Sequence, residues 1–145
     1  MSKLKVKLQD GAALEVGRVS IGQNKLAYVL LANKRLKYLH GSSRVAYIGT
    51  TKKGVSRVAA SAAYRAEEIL DLHGVTRCTA RVVTCTPRKS VTTWKKLERA
   101  LLLVFRQEYG EVPWCNTAGK RMKEKDEFDY FDRNRLKKIL VEIGR

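Results

Sequence analysis

The sequence predicts an α+β fold in which a small, largely antiparallel β-sheet is flanked by helices. The first half of the chain carries short apolar or alternating runs, separated by turn residues, which is typical of strands. Two longer segments, over residues 55–72 and 93–109, place apolar residues three and four apart, which is typical of amphipathic helices. No repeat or break in composition divides the 145 residues, so we expect a single domain over residues 1–145.

The N-terminal segment is predicted to form a β-hairpin over residues 1–17. Lys3–Leu8 alternates lysine with leucine and valine, the pattern of a half-exposed strand. Asp10-Gly11 is a turn signal, and Ala13–Val16 is the candidate for the returning strand.

Three further strands are predicted before the first helix. Leu26–Ala32 is an apolar run short enough for a buried strand, and Asn33 with Lys34 could turn the chain after it. Leu36–Leu39 and Val45–Ile48 are two more short strands, with Gly49 ending the last one.

The second half of the chain is predicted to be mainly helical. The pattern over Val55–Leu72 indicates a helix, followed by a strand over Val75–Thr86 that ends at Pro87. A helix over Thr93–Tyr109 is expected next, with Ser90 or Thr92 as its cap and Gly110 as its stop. A last helix is expected to begin at Asp132 or Asn134 and to reach Ile143.

The net charge is the strongest feature of the composition. Thirty Lys and Arg residues face fourteen Asp and Glu residues, which gives +16 at pH 7. Such self-repulsion destabilises a compact chain unless a polyanion neutralises it, and counterion release drives the binding of nucleic acid by lysine and arginine. We therefore expect DNA, or else RNA, as the partner, although charge alone indicates no chemistry.

The three cysteines, Cys78, Cys85 and Cys115, form no CxxC pair, so neither a zinc site nor a disulfide framework is expected. This sparse set suits a reducing, cytoplasmic compartment. Residues 1–17 do not have the pattern of a signal peptide. No stretch approaches the roughly 20 apolar residues of a membrane span, so we expect no membrane partner.

Five residues with suitable chemistry follow one another along the predicted elements. Tyr28 lies inside the apolar strand, and Tyr47 opens a Tyr-Ile-Gly sequence at the end of a later strand. Arg57 stands ten residues after Tyr47, at the start of the first helix. Glu98 lies in the first turns of the second helix, and Asn116 lies in the loop that follows it.

This ordered set resembles the GIY-YIG family of nucleases. Leu26-Ala27-Tyr28 stands where the family has Gly-Ile-Tyr, and Tyr47-Ile48-Gly49 matches the second motif. Arg57, Glu98 and Asn116 match the family's arginine, its metal-binding glutamate and its late asparagine. The resemblance covers about residues 26–116 and implies a GIY-YIG-like core, with residues 117–145 as a basic, helical extension. It also implies a metal-dependent endonuclease that hydrolyses DNA phosphodiester bonds.

The resemblance assigns each residue a role in that hydrolysis. Glu98 would bind one divalent cation, Mg²⁺ or Mn²⁺, through a hard oxygen ligand. Arg57 would clamp the phosphate, and Asn116 would orient other groups. Tyr47, alone or with Tyr28, would orient or deprotonate the attacking water. For deprotonation, nearby cations would have to lower a tyrosine pKa from its usual value near 10.

The chain departs from the family pattern in places that add candidate residues. Where the family has a His or Tyr one helical turn after the arginine, this chain has Ser61, and Tyr64 is the alternative further along. Where a lysine closely follows the second motif, two threonines precede Lys52 and Lys53. The expected contacts to the nucleic-acid backbone are Lys34, Arg35, Lys53, Arg65, Lys95, Lys120 and Arg121.

Other aromatic and acidic residues have ordinary explanations. Trp114 and Tyr130 are open either to base stacking or to a role in the core. The acidic run from Asp126 to Asp132 lacks the spacing of an ion-binding loop, so we expect it to lead into the last helix.

The rival hypothesis is a non-catalytic, basic DNA- or RNA-binding protein, and a ribosome-associated protein is a third option. In such a protein Tyr28 would be a core tyrosine and Glu98 a solvated residue paired with neighbouring lysines. Convergence of Tyr28, Tyr47, Arg57 and Glu98 on one cleft would favour the nuclease. With no large recognition domain, specific cutting would need a homodimer, a partner protein or recognition of DNA shape.

Overall fold

The computed structural model describes residues 2–12 and 21–145, and it has α+β architecture built on a three-stranded antiparallel sheet. The predicted fold class is therefore confirmed. The sheet order is β2-β1-β3, so the first strand is central. The strands are β1 (Leu26–Tyr38), β2 (Gly41–Thr51) and β3 (Cys78–Val83), and the helices are α1 (Val55–Leu70), α2 (Thr93–Tyr109), α3 (Glu127–Tyr130) and α4 (Arg133–Ile143).

β1 is one long strand where the sequence predicts two short ones. The chain turns at Leu39-His40, and the expected turn at Asn33-Lys34 is wrong. Asn33 instead accepts hydrogen bonds through Oδ1 from the Thr76 and Arg77 amides, at 3.0 and 3.2 Å. This side chain ties β1 to the approach to β3, and a bulge in the β1–β2 register between Leu31 and Leu36 absorbs the extra residues.

The N-terminal prediction is wrong for its first strand. Lys3–Leu8 carries no regular secondary structure, and Leu4, Val6 and Leu8 are 92%, 98% and 92% exposed. An alternating pattern stabilises a strand only when one face is buried against neighbours, and none of the described strands pairs with this segment. The expected returning strand, Ala13–Val16, lies outside the described residues.

The helices agree closely with the sequence patterns. α2 has the predicted bounds, and Gly110 ends it in the left-handed conformation with φ 80°. Its N-cap residue is Thr92, but the Thr92 side chain makes no capping hydrogen bond. Asp132 caps α4 by accepting from the Arg135 amide at 3.1 Å. The predicted strand over Val75–Thr86 shortens to β3, and the single-turn α3 has no periodic signal to predict it.

α2 is the centre of the hydrophobic core. Leu97, Leu101 and Phe105 are at most 1% exposed and lie among buried residues of β1 and β2. α4 packs on the outer side of α2 through Leu136 and Leu140. The start of β1 and the end of β2 therefore lie together, next to the starts of α1 and α2. None of the described helices is both long enough and apolar enough to cross a membrane.

Candidate active site

Tyr28, Tyr47 and Gly49 lie on one face of the sheet. Tyr28 pairs directly with Gly49 in the β1–β2 register, and Tyr47 is two residues before Gly49, so all three residues face the same side. The two tyrosine rings are 6.1 Å apart between centroids. A Cβ at Gly49 would lie 2.6 Å from the Tyr28 hydroxyl and 2.8 Å from the Tyr47 ring. Glycine at this position therefore leaves the space that both tyrosines occupy.

A stripe on α1 covers these tyrosines. Arg57, Ser61 and Arg65 are four residues apart, which places them on successive turns of one helix face. The Ser61 hydroxyl is 2.5 Å from the Tyr28 hydroxyl. The Arg65 guanidinium lies over the Tyr47 ring, 4.6 Å from its centroid. Ser61 and Arg65 thus each contact one of the two tyrosines.

A cleft of about 340 Å³ opens where α1 meets the sheet. Four of the predicted site residues line it, and one of them, Tyr64, is 75% exposed. The lining residues are Tyr28, Thr50, Arg57, Ala60, Ser61 and Tyr64. The structure therefore brings the first-motif tyrosine, the arginine and both auxiliary candidates of α1 together. The exposed side chains of Lys52 and Lys53 follow directly after β2, between Thr50 and α1.

The first turn of α1 contributes Arg57 to the lining of this cleft. Its N-cap residue is Gly54, which offers no side-chain cap, and the first turn contains no acidic residue. Arg57 occupies this turn instead, which is unfavourable beside the positive end of a helix dipole unless an anion is bound. The local charge therefore suits a phosphate.

Deprotonation of water by Tyr47 would require nearby cations to lower the Tyr47 pKa, but the surroundings of Tyr47 raise it. Burial of the half-buried Tyr47 side chain raises its pKa above the usual value of 10.0, and the neighbouring Tyr28 and Glu98 act in the same direction. Arg65 lowers the Tyr47 pKa but does not compensate. The expectation that basic surroundings would lower this pKa is therefore wrong, and the protein alone holds Tyr47 as a neutral phenol at neutral pH.

Glu98 is a half-buried carboxylate without an ion-pair partner among the residues that the structure describes. Burial raises the pKa of Glu98, and Arg99 and Lys95 lower it only in part. The two neighbouring cations with strong partners are directed elsewhere. Arg99 donates to Glu127 at 2.6 Å and Lys96 donates to Asp126 at 2.7 Å.

A hydrogen bond connects the cleft to the helix that carries Glu98. The Thr50 hydroxyl donates to the Leu26 carbonyl at 2.8 Å and approaches the Trp94 carbonyl at 3.3 Å. Trp94 is one helical turn before Glu98, and Glu98 is close enough to Tyr47 to raise its pKa. Glu98 is on the same helix as Trp94, but neither Glu98 nor Tyr47 is among the residues that line the cleft.

A metal ion at this place would have Glu98 as its protein ligand. Within residues 2–12 and 21–145, no three His, Cys, Asp or Glu side chains gather into a cluster. Mg²⁺ usually keeps several waters and binds through one or two carboxylates together with substrate phosphates. Such a site needs only one protein carboxylate, which Glu98, half-buried and without an ion-pair partner among the described residues, would supply.

Asn116 lies away from the cleft, against the edge of β2. Its side chain is buried and forms both hydrogen bonds that a strand would make to Ile48. The Ile48 amide donates to Asn116 Oδ1 at 3.0 Å, and Asn116 Nδ2 donates to the Ile48 carbonyl at 2.9 Å. The Cys115 amide also donates to the Ala46 carbonyl at 3.0 Å. Asn116 therefore positions the strand between Tyr47 and Gly49.

The predicted phosphate contacts are distributed unevenly around the cleft. Lys53 follows the end of β2, and the exposed Lys95 lies in the first turn of α2. Both are near Thr50. Lys34 and Arg35 are exposed at the other end of β1, roughly 20 Å along the strand from Tyr28. Lys120 and Arg121 are exposed in the loop whose carbonyls bind Arg106, toward the end of α2. Arg65 is occupied by Tyr47 and by a 3.3 Å salt bridge to Glu68.

The acidic run before α4 is structural, as predicted. Asp126 binds Lys96 of α2 and Glu127 binds Arg99, while Asp132 caps α4. Among the aromatic candidates, Trp114 is half-exposed and meets Tyr38 edge-on, with ring centroids 5.8 Å apart. Tyr130 is flanked by Arg88 and Lys96, each 5.2 Å from its ring centroid.

The sequence prediction misses three features: the contact of Arg65 with Tyr47, the role of Thr50 in the cleft, and a groove beside Trp94. The spacing of four between Ser61 and Arg65 is a signal that could have placed Arg65 over a tyrosine. Thr50, and a larger groove beside Trp94, have no such signal, because both depend on how the start of α2 meets the sheet.

Comparisons with known protein families, with curated proteins and with solved structures found no match for this chain.

Proposed function

We propose that this protein is a divalent-metal-dependent endonuclease that hydrolyses DNA phosphodiester bonds at the cleft between the sheet and α1. The observation that carries the proposal is the convergence of Tyr28, Arg57 and Ser61 on one cleft, with Tyr47 on the same face of the sheet as Tyr28. The resemblance to GIY-YIG nucleases assigns chemistry to the same residues. The charge of +16 supplies the attraction to a polyanion.

The residues divide the work of hydrolysis by position. Arg57 binds the scissile phosphate at the uncapped start of α1 and stabilises the negative charge that develops on it. Tyr28 and Tyr47 orient the attacking water through their hydroxyls. Because the pKa of Tyr47 is raised, its phenol keeps its proton at neutral pH and acts by hydrogen bonding. Ser61 holds the Tyr28 hydroxyl in place.

Glu98 would hold one Mg²⁺ or Mn²⁺ ion. A bound ion would supply Lewis-acid stabilisation of the phosphate and of the leaving oxygen. The water oxygen forms the new bond to phosphorus as the bond to the 3′ oxygen breaks. The attacking water releases a proton to solvent, and the leaving oxygen takes a proton from solvent. Lys53 and Lys95, on either side of Thr50, would hold the backbone next to the scissile phosphate. The three free cysteines fit a reducing, cytoplasmic setting.

The rival function, a basic binding protein without catalysis, agrees with the burial of Tyr28, which is 4% exposed, but not with the state of Glu98. In such a protein the neighbouring cations would neutralise Glu98, because an unpaired and desolvated carboxylate destabilises the fold. Arg99 and Lys96 instead bind Glu127 and Asp126. A half-buried carboxylate whose pKa burial raises is typical of a site where stability is given up for function.

Cleavage of supercoiled plasmid by matched variants tests the proposal. Wild type, Glu98→Ala and Glu142→Ala would each be incubated with Mg²⁺ and with EDTA, and binding would be measured separately by gel shift. Glu142 is an exposed carboxylate on α4 and serves as the control for the loss of one negative charge. Wild type and Glu142→Ala should cut with Mg²⁺ only, while Glu98→Ala binds DNA without cutting.

The proportions of products carry further information. A monomer that cuts one strand per event produces nicked circles first, whereas a homodimer with two sites produces linear DNA. If wild type only shifts plasmid and branched DNA, with Mg²⁺ and with Mn²⁺, the nuclease proposal is wrong and the binding protein replaces it. Equal cleavage by wild type and Glu98→Ala would likewise remove Glu98 from the site.

A further inference from the structure

A second groove lies next to Trp94, at the start of α2. Its volume is about 690 Å³, within the range of small-molecule sites. One wall is the segment from Cys85 to Thr93, which joins β3 to α2. The other walls are the Gln23–Lys25 segment before β1 and the side chain of Trp94. The predicted site residues do not include any of these.

The groove combines an aromatic surface with cations. Trp94 is only partly buried, although the apolar periodicity of α2 predicts it on the core face. The ammonium group of Lys25 lies over its indole ring, 4.6 Å from the centroid. Arg88 and Lys89 are exposed on the opposite wall, and none of the described lining residues is acidic. Arg88 also lies over Tyr130, so the aromatic and cationic side chains continue beyond the groove.

This chemistry matches a nucleobase with its phosphate. A mainly apolar groove with an exposed indole favours a flat, uncharged ring, and the cations at its edges favour the phosphates on either side of that ring. An acidic peptide would satisfy the cations but would leave the indole without a stacking partner. Stacking of a base on tryptophan is stronger than an exposed lysine–indole contact, so a base can displace Lys25 toward a phosphate.

The position of the groove next to the cleft explains how base binding would serve the proposed hydrolysis. Thr50 lines the cleft, and its hydroxyl approaches the backbone carbonyl of the groove residue Trp94 at 3.3 Å, so this contact joins the two sites. A strand that places a phosphate beside Arg57 would therefore carry a neighbouring nucleotide toward Trp94. In a continuous duplex that base is stacked between its neighbours, so it must be unpaired or frayed to enter.

We propose that this groove binds an unstacked nucleobase of single-stranded or frayed nucleic acid, with Trp94 as the stacking surface and Lys25 and Arg88 at the flanking phosphates. The proposal rests on nucleic acid being the partner of the proposed function, but it does not require catalysis. It makes the protein selective for substrates with unpaired nucleotides next to the cut, which is recognition of structure rather than of sequence.

Binding of short oligonucleotides in EDTA tests the groove without any hydrolysis. The probe is a labelled single strand of about ten nucleotides, compared with the same strand carrying abasic sites. Anisotropy would give Kd for wild type, Trp94→Ala, Trp94→Phe and Trp114→Ala. Trp114 is the matched control, because it is half-exposed and lies outside the groove. Thermal unfolding of each variant checks that it is folded.

Trp94→Ala should weaken binding of the normal strand about tenfold and leave binding of the abasic strand unchanged. Trp94→Phe should stay close to wild type, as should Trp114→Ala. Lys25→Ala should lower the salt dependence of binding, whereas Trp94→Ala should not. Equal losses on both strands, no loss from Trp94→Ala, or equally good competition by a polyglutamate peptide would each overturn the proposal. Because EDTA abolishes metal-dependent cutting, failure here leaves the plasmid test of the nuclease independent, and the reverse also holds.

Discussion

The Tyr28 and Ser61 hydroxyls lie 2.5 Å apart, although 33 residues separate them in the sequence. Tyr28 is 4% exposed on the central strand, and Ser61 is in the second turn of α1. This contact joins the sheet to the helix at the cleft that also contains Arg57. It gives a serine the position at which the resembling nucleases have a larger His or Tyr side chain.

Removal of the Ser61 hydroxyl should therefore leave Tyr28 present but poorly oriented. We expect Ser61→Ala to lower the plasmid cleavage rate roughly tenfold, which corresponds to about 1.4 kcal/mol of lost transition-state stabilisation. DNA affinity in EDTA should not change. Ser61→Thr keeps the hydroxyl and should restore most of the rate. The matched control is Ser56→Ala, an exposed serine in the first turn of the same helix. Equal rates for Ser61→Ala and Ser56→Ala would contradict the role of Ser61.

Gly49 is predicted to be intolerant of even one methyl group. A Cβ at Gly49 would meet the Tyr28 hydroxyl at 2.6 Å and the Tyr47 ring at 2.8 Å, so both rings would have to move. We expect Gly49→Ala to lower the free energy of unfolding by about 1–3 kcal/mol, as overpacking does, and to abolish cleavage. Gly22→Ala is the control, because nothing lies within 4 Å of a Cβ there. Urea unfolding and the plasmid assay check both results, and a fully active Gly49→Ala would refute this packing argument.

Asn116 is predicted to support the site through the strand edge. Asn116→Ala would leave the Ile48 amide and carbonyl without partners at a position that is 1% exposed. We expect it to lose about 2–4 kcal/mol of unfolding free energy. Asn116→Asp should also destabilise the fold, because a carboxylate cannot donate to the Ile48 carbonyl. Thr117→Ala, at the exposed neighbouring position, should change little. Stability of Asn116→Ala within error of wild type would show that the two hydrogen bonds contribute nothing.

Glu98 is predicted to destabilise the protein at neutral pH when no metal is bound. Its pKa is raised in the folded state, so a protonated Glu98 is the form compatible with burial, and stability is lost as pH rises through the folded-state pKa. Glu98→Gln should therefore have a Tm a few degrees above wild type at pH 7 in EDTA. The difference should vanish as pH falls below the ordinary value of 4.5.

Addition of Mg²⁺ should narrow the difference in Tm between wild type and Glu98→Gln. A cation that binds the folded wild type raises its Tm, while Glu98→Gln should show no such gain. Glu142→Gln, which removes an exposed charge, should respond to Mg²⁺ as wild type does. A Glu98→Gln variant less stable than wild type in EDTA would mean that the carboxylate has a stabilising partner in the fold.

The sequence predicted those parts of the molecule that depend on local periodicity. The bounds of α2 and the antiparallel class follow from apolar spacings of three and four or of two, which a single element expresses by itself. For the cap of α4 the sequence offered Asp132 or Asn134, and the structure has Asp132. Errors appeared where pairing decides the outcome. Lys3–Leu8 has a strand pattern but no partner among the described strands, and Asn33 continues a strand because its side chain binds Thr76 and Arg77.

The candidate site divides in the same way. The sequence by itself determined which residue types were available and in what order, from Tyr28 to Asn116. Only the tertiary structure decided that Ser61 meets Tyr28, that Arg65 covers Tyr47 without lowering its pKa below the usual value, and that Asn116 holds Ile48. It also directed Arg99 to Glu127, so that Glu98 has no ion-pair partner among the described residues. The physical reason is that burial and ion pairing depend on distances between segments far apart in the chain, and only the packing of α1 and α2 against the sheet sets those distances.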